Sequence, residues 1–301
     1  MRLGQHAVAT PPASPASDAA GMGASIAEAQ PAIGAQPAKD ALPVKEALPV
    51  KKALPATGAL PVTAALPAIT LKRVWLARQG RVIVRDLDGV FNQGSLTAIV
   101  GPNGAGKSTL VDALAGRLAP VRGQILLHEG VRGQLACLPQ RGTLDRTVPM
   151  RTFDLVALGA WRHLGPWRGL SQADHEAVEA ALQAVGLAGL GRQPIATLSG
   201  GQLQRALFAR LIVRDARVIV LDEPFAAVDR ATTEDLLALL QQWHAQGRTL
   251  IVVLHDLDMV RAHFPHSLLL ARQQVAWGPT SEVLTPAHLH LARHLCAGEA
   301  A

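Results

Sequence analysis

The run Gly101-Pro-Asn-Gly-Ala-Gly-Lys-Ser108 constrains this 301-residue chain more than any other feature. It matches G-x-x-x-x-G-K-[ST], the phosphate-binding P-loop motif. A β-prone run, 95–100, precedes it and a helix-favouring run, 108–118, follows it, as the motif requires. Glycines let the backbone point N–H groups at phosphates, and the helix N-terminus adds partial positive charge. A chance glycine-rich turn is the alternative, which this context disfavours.

This motif predicts a nucleotide-binding segment that contains Gly101, Pro102, Asn103, Gly104, Ala105, Gly106, Lys107, Ser108 and Thr109. Within it, the amine of Lys107 is expected to reach the β- and γ-phosphates, and the hydroxyl of Ser108 to ligate Mg²⁺.

The overall composition limits the classes of protein that remain. The net charge is +6, which favours anionic partners, but no run of five or more Lys and Arg occurs. Cys137 and Cys296 form no C-x-x-C pair, so reduced cytosolic thiols are expected. No apolar run approaches the roughly 18 residues of a membrane span, and none follows Arg2 as in a secretory signal. We therefore expect a cytosolic protein that reaches a membrane only through a partner.

Residues 1–68 form an Ala- and Pro-rich extension with an internal repeat. Ala-Leu-Pro recurs every six residues, beginning at Ala41, Ala47, Ala53, Ala59 and Ala65. A proline in every repeat is incompatible with a stable helix and interrupts strand pairing. The repeat predicts a disordered tether that leans toward polyproline II, with partner docking as the alternative. The folded domain is expected to span residues 69–301.

The rest of the chain predicts an α/β fold. Three short β-prone runs at 71–77, 82–85 and 89–92 indicate an antiparallel sheet, whereas the continuous apolar runs 218–221 and 249–254 are typical of buried parallel strands. Residues from about 141 to 207 instead look helical. We therefore predict a P-loop NTPase core with a mainly parallel sheet, an antiparallel β subdomain and an inserted helical subdomain.

Two carboxylates follow the first of these apolar runs. Asp222 and Glu223 stand at the expected C-terminal end of a strand, which is the edge where open α/β sheets bind ligands. Asp222 is expected to hold Mg²⁺, directly or through water, and Glu223 to orient or deprotonate the attacking water. An isolated pair of this kind is usually only solvated, but this one follows a P-loop by about 115 residues.

A second glycine-containing motif, Leu198-Ser-Gly-Gly-Gln202, precedes a helix-favouring run at 202–213. It provides a second helix N-terminus suited to an anion. Because the P-loop already holds the phosphates of one ATP, the second motif is best explained if it contacts the γ-phosphate of an ATP held by another copy.

Together these features resemble the ATPase subunits of ABC transporters over residues 69–285. The resemblance implies ATP and Mg²⁺ as ligands and a head-to-tail homodimer with two sandwiched ATP molecules. It also implies integral-membrane permease subunits, an extracytoplasmic solute-binding protein as an indirect partner, and a peripheral location on the cytoplasmic face of the inner membrane. No nucleic acid is expected.

The resemblance also implies residue roles by matching position. Gln140 resembles the Q-loop glutamine, which links Mg²⁺ and water to the membrane partner. Asp229 resembles the D-loop aspartate, and His255 the switch histidine on the γ-phosphate. The contacts to the γ-phosphate across the dimer fall to Ser199, Gly200, Gly201 and Gln202.

One position departs from the family pattern. Where an aromatic residue usually stacks on adenine, this chain has Arg78. A guanidinium can also stack on a base, and such stacking stabilises binding by roughly 0.5–2 kcal/mol. Trp75 is the rival platform, and the alternative to both is a core Trp75 beside a solvated Arg78.

The cargo is predicted from a narrower resemblance. The fragments 87–89, 254–264 and 275–278 resemble ATPases of zinc and manganese importers, with import of a metal chelate, haem or siderophore, as the alternative. A soluble ABC-type ATPase acting on nucleic acid or the ribosome is a second alternative. Members of that class that act on DNA carry long coiled-coil insertions, whereas this chain has no sustained heptads. Members that act on the ribosome carry two ATPase cassettes, whereas this chain has one.

Two further groups have open interpretations. Trp161 and Trp167 suit a docking surface for the membrane subunit or, equally, a core position. The C-terminal group comprises His288, His290, His294 and Cys296, in which His290 and His294 share a helix face; it suits a transition metal or an ordinary helix surface.

Overall fold

A computed structural model describes residues 66–138, 146–161, 169–226 and 228–297. The predicted tether lies outside these residues except for its last three positions. The first strand begins at Pro67, two residues before the predicted start of the folded domain.

A small antiparallel sheet is built from β1 (Pro67–Arg78), β2 (Arg81–Asn92) and β4 (Arg122–Leu127), in the order β2-β1-β4. This confirms the predicted antiparallel subdomain. The prediction of two separate runs, 82–85 and 89–92, was wrong, because β2 is one continuous strand. Asp86 takes a φ of 46° within it, a backbone conformation that aspartate tolerates better than most residues.

The larger sheet contains β3 (Leu96–Val100), β5 (Leu135–Leu138), β6 (Val218–Asp222), β7 (Thr249–Val253), β8 (His266–Leu270) and β9 (Gln274–Pro279). Their order is β5-β6-β7-β3-β8-β9, and only β9 runs antiparallel to its neighbour. Every residue of β3, β6 and β7 is buried, as the continuous apolar runs predict for central parallel strands.

The helices are α1 (Lys107–Leu114), α2 (Thr152–Ala157), α3 (Gln172–Ala184), α4 (Gly200–Arg214), α5 (Arg230–Ala245), α6 (Leu257–His263), α7 (Thr280–Val283) and α8 (Pro286–Ala297). None of these described helices is long and apolar enough to cross a bilayer. α1 ends four residues before the predicted Leu118, and Gly116 just beyond it takes a φ of 74°.

Helices α2, α3 and α4 pack together as the predicted helical insertion. Buried Leu155, Leu182 and Phe208 belong to the same hydrophobic cluster. α4 runs without a break from Gly200 to Arg214 and contains the predicted helix-favouring run 202–213. The parallel sheet, antiparallel subdomain and helical insertion together confirm the predicted fold class.

Candidate ATP-binding and hydrolysis site

The P-loop connects β3 to α1 and is held closely on two sides. A Cβ atom on Gly101 would lie 2.0 Å from the carbonyl oxygen of Leu270, at the end of β8. A Cβ on Gly106, where φ is 97°, would lie 2.5 Å from Cγ2 of Val84 in β2. The loop therefore needs glycine at both positions, for space and, at Gly106, for its backbone conformation.

The side chain of Lys107 is folded back over this loop. Its Nζ donates hydrogen bonds to the carbonyl oxygens of Gly101 at 2.8 Å and Pro102 at 3.0 Å. Burial lowers the pKa of Lys107, while the charges of Glu223 and Asp222 act in the opposite direction. The amine is thus held among backbone oxygens in the centre of the loop, where phosphate oxygens can replace those acceptors.

Asp222 closes the other side of the loop from the end of β6. It is 4% exposed, and its Oδ1 has no hydrogen-bond partner among the described residues. Burial raises the pKa of Asp222, a hydrogen bond from Ser108 opposes that shift, and the charge of Glu223 adds to it. A buried, unsatisfied carboxylate oxygen costs free energy unless something binds it. The carboxylate and the Ser108 hydroxyl are the hard oxygen donors that Mg²⁺ takes.

Glu223 and His255 meet where β6 and β7 end. These strands are parallel neighbours, so the residues that follow them lie at the same edge of the sheet. The Nε2 of His255 lies 2.5 Å from Oε1 of Glu223. Glu223 has a φ of 51°, an uncommon conformation for a non-glycine residue and one found most often at functional sites.

The second glycine motif forms the N-terminus of α4. Ser199 accepts a hydrogen bond from the backbone N–H of Gln202 at 3.1 Å, and its own N–H donates to the Gln202 side chain at 2.9 Å. Ser199 and Gly200 are exposed, and Gly201 and Gln202 are half-buried. This helix end is therefore accessible to solvent.

Asp229 lies beside this motif. A Cβ on Gly201 would be 3.4 Å from Oδ2 of Asp229. Asp229 caps α5 by accepting a hydrogen bond from the N–H of Thr232 at 2.8 Å. The hydrogen bonds from Thr232 lower the pKa of Asp229. The N-termini of α4 and α5 therefore form one surface.

A salt bridge that the sequence did not reveal ties these helices together. Nη2 of Arg205 in α4 lies 3.0 Å from Oδ2 of Asp235 in α5. The same nitrogen donates a hydrogen bond to the hydroxyl oxygen of Thr232 at 3.2 Å. Both charged side chains are mostly buried, at 12% and 17% exposed. No spacing in the sequence links positions 205 and 235, so only the folded structure identifies this pair.

Both predicted adenine platforms have protein partners in this structure. Arg78 forms an ion pair with Asp112 of α1. Asp112 is also paired with Arg117, whose Nη2 lies 2.7 Å from Oδ1 of Asp112. Trp75 is half-buried, and the guanidinium of Arg122 lies 5.5 Å from its ring centroid. Stacking of either residue on adenine stays a prediction.

Two of the remaining predicted residues lie outside the described part of the chain. Gln140 and Trp167 are among the residues that are not described, whereas Trp161 is 65% exposed. At the C-terminus, Nε2 of His290 lies 3.1 Å from Nε2 of His294. No group of three or more metal-ligating side chains occurs in the described part of the chain.

Comparison with known proteins adds an independent finding. Residues 84–226 match the model of the ABC transporter family. The chain is 35% identical to a manganese transport system ATP-binding protein of Bacillus subtilis, covering 72% of this chain and 88% of that protein. It is 34% identical to a zinc transport system ATP-binding protein of Treponema pallidum, covering 75% and 86%.

The fold is also similar to that of a solved chain from a transporter described as metal-chelate type, in an inward-facing conformation. The TM-score is 0.68 at 28% identity, and the match covers 76% of this chain and 89% of the solved one.

Proposed function

The chain belongs to the ABC transporter family, as an ATP-binding subunit that hydrolyses ATP and works with membrane permeases, and we propose that it energises import of manganese or zinc ions. The assignment of manganese or zinc as the cargo is supported by the similarity of this chain to manganese and zinc transport ATPases over most of their length. Import of a metal chelate is the second candidate, supported by the solved metal-chelate type chain at lower identity.

In the proposed mechanism, residues 101–109 hold the triphosphate. Lys107 exchanges its two backbone acceptors for β- and γ-phosphate oxygens. Ser108 and Asp222 hold Mg²⁺, together with Gln140, and the unpartnered Asp222 oxygen supports this assignment. The ion supplies positive charge that offsets the charge of the phosphates.

Glu223 acts as the general base toward the attacking water. The hydrogen bond from His255 fixes the direction of the carboxylate, and His255 reaches the γ-phosphate. Because both groups follow neighbouring parallel strands, their relative position is set by the sheet and not by a flexible loop.

Hydrolysis is proposed to occur in a head-to-tail homodimer. The open α4 N-terminus, with Ser199, Gly200, Gly201 and Gln202, binds the γ-phosphate of the ATP held by the other copy. Asp229 belongs to the same surface. ATP closes the dimer, product release opens it, and Gln140 passes that movement to the permease. This assignment implies the cytoplasmic face of the inner membrane and an extracytoplasmic solute-binding protein that delivers the ion.

Ser199→Arg is expected to leave ATP binding to the monomer unchanged and to abolish ATP-dependent dimerisation, because a long charged side chain would occupy the interface. Dimerisation is measured by size-exclusion chromatography with ATP in the Glu223→Gln background. Ser171→Arg is the matched control, since Ser171 caps α3 with the same capping-box geometry but lies elsewhere. Dimerisation of Ser199→Arg at wild-type ATP concentrations would contradict the two-copy site.

Arg78→Ala is expected to weaken ATP binding by up to about tenfold, from the lost stacking free energy, and Arg78→Tyr to restore it. Affinity for ATP and for inorganic triphosphate is compared by calorimetry, with Arg81→Ala in the same hairpin as control. Equal losses for both ligands would show that Arg78 contacts phosphate. If Trp75→Ala folds and loses ATP affinity while Arg78→Ala binds normally, Trp75 is the platform.

Cells that carry Glu223→Gln in place of the wild-type protein test the cargo. Under metal limitation, we expect lower cellular manganese or zinc by mass spectrometry and growth restored by adding that ion. A defect confined to growth on haem or a siderophore would instead establish the metal-chelate alternative.

A further inference from the structure

The C-terminal helix α8 presents two histidines to solvent on one face. His290 and His294 are both exposed and stand four residues apart, a spacing that places side chains next to each other on a helix. The helix beneath them is fixed, because Ala292 is 1% exposed and Leu289 and Leu295 pack against the core. The backbone that carries the two imidazoles is therefore held by the fold.

The two rings are close enough to share one ligand. Nε2 of His290 lies 3.1 Å from Nε2 of His294, and the ring centroids are 4.3 Å apart. Two zinc–imidazole bonds of about 2.0–2.1 Å at a tetrahedral angle would place the nitrogens about 3.3–3.4 Å apart. The separation therefore needs to grow by only a few tenths of an ångström to hold a zinc ion in place of the shared hydrogen.

The other candidate ligands of this helix are placed differently. Nδ1 of His288 lies 3.1 Å from the carbonyl oxygen of Val283, so this ring has a partner of its own. Cys296 stands two residues after His294, a rotation of about 200° around a helix, and its side chain packs against the core. Because no third metal-ligating side chain joins the pair among the described residues, water is expected to complete the coordination.

The donor atoms determine which ion suits this pair. Imidazole nitrogen suits zinc and other late first-row metals, whereas manganese prefers carboxylate and carbonyl oxygens. α8 contains no Asp or Glu, so it offers manganese no carboxylate ligand. His294 also lies in the last turn of the helix, where the partial negative charge of the helix end stabilises a cation.

We propose that His290 and His294 form a surface site that holds Zn²⁺ through both Nε2 atoms, with water molecules as the remaining ligands. This site shares no residue with the one assigned to Mg²⁺ at Ser108 and Asp222. It does not rest on the proposed cargo, because the two imidazoles bind zinc whichever ion passes through the permease.

Calorimetric titration with zinc chloride tests the site, using the full chain purified without a polyhistidine tag. We expect one histidine-dependent zinc ion per subunit. His290→Ala and His294→Ala should each weaken binding by at least about tenfold, because the second imidazole of a pair binds intramolecularly. His290→Cys should retain binding, since a thiolate is also a zinc ligand. Manganese chloride at the same concentrations should give no binding that depends on either histidine.

Two control variants separate this pair from other zinc ligands. His266→Ala removes an exposed histidine at the start of β8, and Cys296→Ser removes the thiol of α8. Neither should change the zinc affinity. Without zinc, His290→Ala and His294→Ala should melt at the wild-type temperature, because both side chains are exposed. Zinc should raise the melting temperature of the wild type more than that of either variant.

Three results would overturn the proposal. The first is an unchanged zinc affinity when His290 and His294 are both replaced by alanine. The second is loss of binding in Cys296→Ser, which would assign the ion to a thiol. The third is a stoichiometry of one zinc ion per two subunits, which would show that two copies share the ion.

Discussion

Replacing Glu223 with glutamine is expected to lower steady-state ATP hydrolysis by about 10²–10⁴-fold, the usual contribution of a general base. That corresponds to about 3–5 kcal/mol of activation free energy. The carboxamide keeps the size of the side chain and its hydrogen-bonding reach toward His255, but it cannot accept the proton of the attacking water. ATP binding should persist, so the proposed ATP-bound dimer should accumulate.

Phosphate release measures the rate of this variant, and chromatography with ATP measures dimer accumulation. Glu282→Gln, which removes the same charge from an exposed position, is the control. The melting temperature of the variant should be measured as well, because Glu223 has a φ of 51°, a conformation that costs free energy in a non-glycine residue. Because glutamine and glutamate pay a similar cost for that conformation, the melting temperature should change little. Hydrolysis near the wild-type rate would contradict the role of Glu223.

Lys107→Ala has the second large expected effect, on ATP affinity. The triphosphate loses a cation from a half-enclosed loop, and breaking a buried charge pair costs about 2–5 kcal/mol. The wild-type amine must first leave the carbonyl oxygens of Gly101 and Pro102, so a loss near the lower end, about 30-fold or somewhat more, is expected.

Calorimetric titration with ATP measures this loss. Lys72→Ala provides the control, because it removes the same charge from the exposed face of β1. ADP should lose less affinity than ATP, since it lacks the γ-phosphate. Equal ATP affinity of Lys107→Ala and wild type would show that the amine does not contact the phosphates.

The local patterns in the sequence were sufficient to predict most elements of the fold. The continuous apolar run at 218–221 became buried β6, and the helix-favouring run at 202–213 lies within α4. Each of these signals depends on neighbouring residues alone. The end of α1 was predicted too late because a glycine within a helix-favouring run is tolerated or terminates the helix according to its surroundings.

The details that depend on distant residues could not be predicted in this way. The salt bridge between Arg205 and Asp235 and the ion pair of Arg78 with Asp112 join elements whose packing is set by the whole fold. The left-handed backbone at Glu223 is also a tertiary effect, because glutamate has no local preference for it. The meeting of Glu223 with His255 follows from the strand order, in which β6 and β7 are neighbours.

The central claim is that this subunit uses ATP hydrolysis to drive uptake of a metal ion through a permease. The most direct measurement is uptake of radiolabelled manganese or zinc into proteoliposomes that contain the subunit, its permease and the solute-binding protein. We predict uptake that requires ATP on the cytoplasmic side and is lost with Glu223→Gln, while Glu282→Gln transports normally. ATP-driven uptake of a haem or siderophore complex, with none of either free ion, would contradict the claim.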